Sequence, residues 1–164
     1  MKQDRVLILE SEKYYFYDEG VYGDVFVNAP RSRCWKLFKV KESNSASHKS
    51  FQTEIKAYEL AGDHPLVAQM VPKLFRSGYL NLQVLNKLGD EVSSEYISEL
   101  NYEMEFLDLE FSKIGSIPSE DTQSIRNTFK EAGINCVSDA SIAFNALGAP
   151  KLIDFGIREI EVWH

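Results

Sequence analysis

The apolar residues of this chain change period near residue 50, and that change restricts the fold more than any single residue does. Before it, Tyr14 to Tyr17 and Val25-Phe26-Val27 are β-branched and aromatic runs on either side of a glycine turn, the pattern of a β-hairpin. Asn28-Ala29-Pro30-Arg31-Ser32 is a second turn, leading into the strand candidate Cys34-Trp35-Lys36-Leu37-Phe38-Lys39-Val40. Three sequential strands with short turns predict an antiparallel meander. Ser43 to Lys49 reads as a polar loop. After it Phe51, Ile55 and Tyr58 recur at helical spacing, and Gly62 ends the run. Val71 to Phe75, then Tyr79-Leu80 with Leu82 to Leu85, read as two more strands. The polar stretch Asp90 to Ser94 is the expected boundary between a first part, 1–89, and a second, 90–164, of one domain.

The second part reads as mostly helical. Ile97, Leu100, Met104, Leu107, Phe111 and Ile114 advance by three or four residues, which predicts one long amphipathic helix with Glu103, Glu105, Asp108 and Glu110 on its solvated face. Ile117-Pro118-Ser119 stops it, and Ser119 with Glu120 and Asp121 is placed to cap the next helix. That helix turns Ile125, Phe129 and Ala132 inward and ends at Gly133, where a left-handed residue is easiest. Two short strands, near Ala143-Phe144 and Leu152-Ile153, finish an α+β chain.

Charge and cysteine content remove several functional classes. Twenty-five acidic residues against 18 basic give a net charge of −7, the wrong sign for nonspecific nucleic-acid or anionic-membrane binding. The apolar run Val6-Leu7-Ile8-Leu9 is too short to span a membrane or to form a secretory signal. Cys34 and Cys136 stand far apart in apolar surroundings, as buried thiols of a reducing, cytoplasmic compartment do. His48, His64 and His164 make no metal-ligand spacing, and no Ser/His/Asp or Cys/His arrangement suggests itself.

The residues that remain suit phosphate chemistry. Gly20 and Gly23, in a strand-turn-strand, let backbone amides come close to phosphates that a side chain would block. Lys36 lies mid-strand between Trp35 and Leu37, with Glu54 on the following helix. Lys39 with Glu59 is the rival pair; strand alternation puts Lys39 and Lys36 on opposite faces. Leu82 to Leu85 runs into Asn86-Lys87-Leu88-Gly89. Asp139 and Asn145 follow the helix that ends at Gly133. Lys151-Leu152-Ile153-Asp154-Phe155-Gly156 is an apolar strand ending in Asp-Phe-Gly, joined to Asn145 by a Gly148-Ala149-Pro150 turn.

Taken in order, these features resemble the protein kinase superfamily, and in size the minimal Ser/Thr kinases that bacteria inject into host cells. The resemblance implies a five-stranded antiparallel N-lobe with one helix, a reduced and mainly helical C-lobe, and ATP with Mg²⁺ as cofactors. Gly20, Gly23 and Val25 match the end of the Gly-rich loop, although Asp18 stands where its first glycine belongs. Lys36 paired with Glu54 would hold the phosphates, and backbone groups from Asn86 to Leu88 would bond adenine. Asp139 would orient the acceptor hydroxyl, and Asn145 with Asp154 would bind metal, both side chains arriving at one end of the cleft. Val137-Ser138 replaces the usual His-Arg before the Asp, the Asp-to-Asn spacing is one residue longer than the family's, and no lysine lies between them. The implied partner is a protein substrate, with a host chaperone or signalling component among the candidates; delivery into a host cell is the alternative location. A pseudokinase that binds nucleotide or protein without transfer is the rival reading, and a small-molecule kinase a third. With eight residues after Gly156, no activation segment is expected, so activity would be constitutive or switched by a partner, and Trp163 is expected to pack or to make a contact.

Overall fold

The computed structural model describes residues 2–157, so the expectation for Trp163 lies outside the described residues. The chain divides into two compact units, Met1–Phe51 with Leu74–Asp108, and Gln52–Lys73 with Leu109–His164. The first unit therefore extends through residue 108, past the expected boundary at 90.

The first unit is one antiparallel sheet. Its strands are β1 (Val6–Leu9), β2 (Glu12–Glu19), β3 (Gly23–Asn28), β4 (Arg33–Lys39), β5 (Leu74–Ser77), β6 (Gln83–Leu85) and β7 (Tyr96–Glu105). Their spatial order is β5-β7-β4-β3-β2-β1-β6, so β2-β3-β4 form the expected meander and β7 closes onto its third strand. Side-chain hydrogen bonds fix the turns. Asn28 Oδ1 accepts from the amides of Ser32 (2.9 Å) and Arg33 (3.0 Å), which holds Arg31 at φ 57°. Seven strands replace the five expected: β1 adds to the sheet by pairing with β2 and β6, and β7 by pairing with β4 and β5.

The long helix expected over residues 97–114 is also corrected: Tyr96–Glu105 is strand β7. Leu100, Tyr102, Met104 and Phe106 alternate with Asn101, Glu103 and Glu105, a period-two signal hidden beneath the period-3.5 one. Glu103 is accordingly not on a solvated helix face. It is 2% exposed and accepts from Arg76 Nε at 3.3 Å, with the Tyr14 hydroxyl at 3.4 Å. One core packs Leu7, Leu9, Tyr14, Phe26, Trp35, Leu37, Leu82, Val84 and Tyr96 together. At about 1.5–3 kcal/mol for each fully buried large apolar side chain, this cluster is what makes so strand-rich a unit stable.

The second unit joins helices to a small sheet. Helix α1 spans Asn44–Asp63, its first turns belonging to the first unit. The polar loop expected at 43–49 is thus mostly helix. Asn44 Oδ1 accepts from the Lys41 amide at 3.1 Å, and the buried Ser47 hydroxyl donates to the Lys39 carbonyl at 2.9 Å. Helix α2 (Pro65–Ala68) follows, then β8 (Ser112–Lys113), α3 (Ser119–Glu131), β9 (Ser141–Phe144) and β10 (Pro150–Ile153), with the strands ordered β10-β9-β8. Ser119 does not cap α3: Pro118 stands at the N-cap and makes no side-chain cap. The other end is as expected. Gly133, at φ +88°, donates to Lys130 O, and the Ile134 amide donates to Phe129 O at 2.9 Å, a Schellman closure.

Candidate functional site

In the first unit the site is organised by which face of β4 each lysine takes. Lys36 pairs in register with Val25 and Tyr102, and its ammonium lies 5.1 Å from the Phe38 ring centre. A Cβ on Gly23 would lie 2.8 Å from the Leu37 carbonyl oxygen and 3.1 Å from Lys36 Cε, so only glycine leaves the path that this lysine occupies. Phe38 in turn packs edge-on against Phe51 of α1, ring centres 5.5 Å apart. Lys39 goes the other way. Its ammonium donates to Gly20 O at 2.6 Å and lies 3.4 Å from Glu19 and 3.6 Å from the fully buried Asp24. Asp24 also meets Lys2 at 3.2 Å and accepts the Tyr96 hydroxyl at 2.7 Å. Burial, and then that bond, raise the Tyr96 pKa.

The other first-unit residues singled out from sequence are less well placed. The Gly20 amide donates to Gly23 O at 2.7 Å, so it is committed inside the turn. Asp18 is exposed and accepts from the Glu19 amide at 2.9 Å. Asn86 Oδ1 accepts from the amides of Leu88 (3.0 Å) and Asp90 (2.9 Å), forming a turn of its own. That turn leaves β6 at the sheet edge, with β3, β2 and β1 between it and β4. The strand beside Lys36 is β7, which no reading of residues 82–89 anticipates.

In the second unit, the β9–β10 hairpin presents Asp154. Ile153 pairs with Ser141, Pro150 pairs with Phe144, and Asp154 follows β10 with φ 59°, exposed. A non-glycine residue in that region is uncommon and is held by its surroundings. Here the hold is Phe155, which is buried between Tyr58 of α1 (4.9 Å) and Phe129 of α3 (5.5 Å). A two-way backbone bridge between Gly156 and Cys136 adds to it. Glu54 is half-buried on α1, one turn before Tyr58 and therefore on the same helix face.

Register decides which residue accompanies Asp154. Asn145 sits at the turn end of the hairpin, where its Oδ1 accepts from Leu147 (3.0 Å) and Ala149 (2.9 Å). Four strand residues at about 3.3 Å each separate that end from Asp154. The expectation that both reach one end is thus corrected, and the residue that does is Ser141, whose hydroxyl lies 3.4 Å from Asp154 Oδ2. The strand period shows this once the hairpin turn is centred on 145–149. Asp139 is exposed and precedes β9 by two residues, and its carbonyl accepts Lys113 Nζ from β8 at 3.1 Å. The ammonium that meets the backbone at 139 therefore comes from a strand far upstream in sequence.

Among the described residues no three His, Cys, Asp or Glu side chains gather at one point, and no helix is long and apolar enough to cross a membrane. Both cysteines are free thiols. Cys34 is buried, which pushes its pKa up to about 12, while Cys136 is only half-buried, against the expectation of two buried thiols. Searches of protein-family models, of curated proteins and of solved structures find no match for this chain.

Proposed function

We propose that this chain is an ATP- and Mg²⁺-dependent phosphotransferase acting on protein hydroxyls. The observation that carries the reading is the treatment of Asp154-Phe155: the apolar ring is clamped by two helices while the carboxylate is turned outward in left-handed backbone. A carboxylate kept in a costly conformation by its neighbours is a ground for proposing a function for it. Lys36, laid over Gly23, supplies a phosphate-binding cation. Asp154 and the Ser141 hydroxyl are hard oxygen donors of the kind Mg²⁺ takes, few in number because phosphates and water complete its shell. When bound, the metal supplies charge neutralisation on the nucleotide phosphates. Asp139 orients the acceptor hydroxyl, with Lys113 beside it. A protein substrate, of host or bacterial origin, completes the proposal.

Incubation with labelled ATP and Mg²⁺, with and without a eukaryotic lysate, tests it. Label transfer that falls at least about 100-fold in both Asp154→Ala and Asp139→Ala supports the enzyme. ATP binding with no transfer under any condition leaves a pseudokinase. That second reading has its own support, since Asn145 spends its carbonyl oxygen on a turn and cannot serve as the expected second metal ligand.

A further inference from the structure

Helix α3 carries a polar stripe that its own unit does not use. Gln123, Arg126, Asn127 and Lys130 recur at three- and four-residue steps, beside the inward Thr122 and Phe129. With residues 134–138 this stripe lines a cavity of about 500 Å³, within the range of ligand sites. The buried Ile134 and Val137 line it from beneath, and Asn135 and Ser138 complete its wall.

The cavity is electrostatically one-sided. No carboxylate lines it. Among the described residues Arg126 makes one side-chain bond, Nε to Thr122 Oγ1 at 3.1 Å, and Lys130 forms no ion pair. Asn127 accepts from Gln123 at 2.9 Å, which leaves its own amide hydrogens for a ligand. In a chain of net charge −7, two uncompensated cations and several amide and hydroxyl groups in one concavity are a specific feature. Such a fork-and-point arrangement suits a carboxylate or phosphate oxyanion.

We infer that this groove binds the acidic or phosphorylated side chains of a protein segment. Two cations are too few for a nucleic-acid footprint, which needs many phosphate contacts. The cavity ends at Ser138, one residue from Asp139, so a segment held there keeps its neighbouring residues beside that carboxylate. The substrate role, a preference for acceptor hydroxyls flanked by acidic or phosphorylated residues, rests on the phosphotransferase reading; the binding does not.

Fluorescein-labelled peptides carrying Asp/Glu, phosphoserine, or Gln/Ser at the same positions, together with a single-stranded oligonucleotide, test it by anisotropy. The acidic or phosphorylated peptide binds, and affinity falls at least about tenfold in Arg126→Ala/Lys130→Ala. The Arg126→Glu/Lys130→Glu variant transfers preference to a Lys-containing peptide, and comparison of the first two peptides says which oxyanion is favoured. Equal binding of the neutral peptide, tighter binding of the oligonucleotide, or affinities unchanged in both variants overturns the inference. Asp154→Ala separates the two proposals: peptide binding that survives in it, with no transfer by wild type, keeps the groove and removes the enzyme. Transfer by wild type without acidic preference does the reverse.

Discussion

The two faces of β4 treat a lysine in opposite ways. On one, Lys39 is pinned by Gly20 O, Glu19 and buried Asp24, with Lys2 and Tyr96 completing the network. On the other, Lys36 lies across a glycine and an aromatic ring. A buried carboxylate costs several kcal/mol unless paired, so the first arrangement is something the fold needs for its own stability. The second places a cation where the backbone has been cleared for it.

The sharpest way to break that contrast is to remove each ammonium in turn. Lys36→Met should lower transfer about 100-fold, near 2.7 kcal/mol of barrier, and move the urea midpoint less than Lys39→Met does. Lys39→Met should cost roughly 2–3 kcal/mol in urea unfolding by stripping Asp24 of one partner, and leave transfer by the folded fraction within about threefold. The reverse outcome, activity lost with Lys39 and stability with Lys36, would exchange their roles. Gly23→Ala sharpens the same point. Its Cβ would stand 2.8 Å from a backbone oxygen, so a loss of about 2 kcal/mol is expected, together with weakened nucleotide binding as Lys36 is displaced.

The meander, its turns, α1 from Phe51 onward, the Gly133 stop and the β9–β10 pair were legible because period and turn residues agree there. Residues 96–106 were not, since Ile97, Leu100 and Met104 satisfy a helical stripe while Leu100, Tyr102 and Met104 satisfy a strand. Pairing with β4 and β5 decides between them, and that is a long-range event no local window contains. Lys36, Glu54 and Asp154 were chosen from sequence by type and order. Ser141 and Lys113 could not be, because hairpin register brings in the first and a distant strand the second.

A smaller contrast lies between the two ends of the β9–β10 hairpin. Ser141→Ala should reduce transfer about tenfold without unfolding, whereas Asn145→Ala should cost about 1 kcal/mol of stability and leave the Mg²⁺ dependence of transfer unaltered. A metal dependence that changes in Asn145→Ala instead would restore the original assignment. Smallest is an alkaline effect. The folded state holds the Cys34 proton up to about 12 against an ordinary 9.0, so this stabilisation is complete below pH 9 and is lost as pH rises from there toward 12. Tyr14, also raised to about 12 by burial, adds in the same direction. Unfolding free energy should thus fall by at most about 1.4 kcal/mol per pH unit for each group, and Cys34→Val should flatten the slope.

Calorimetric titration of the wild type and of Asp154→Ala with ATP, each with and without Mg²⁺, tests the central claim most directly. The account predicts that Mg²⁺ tightens nucleotide binding at least about tenfold in wild type and has no such effect once Asp154 is gone. No nucleotide binding by the wild type, or a Mg²⁺ effect of equal size in Asp154→Ala, would contradict it.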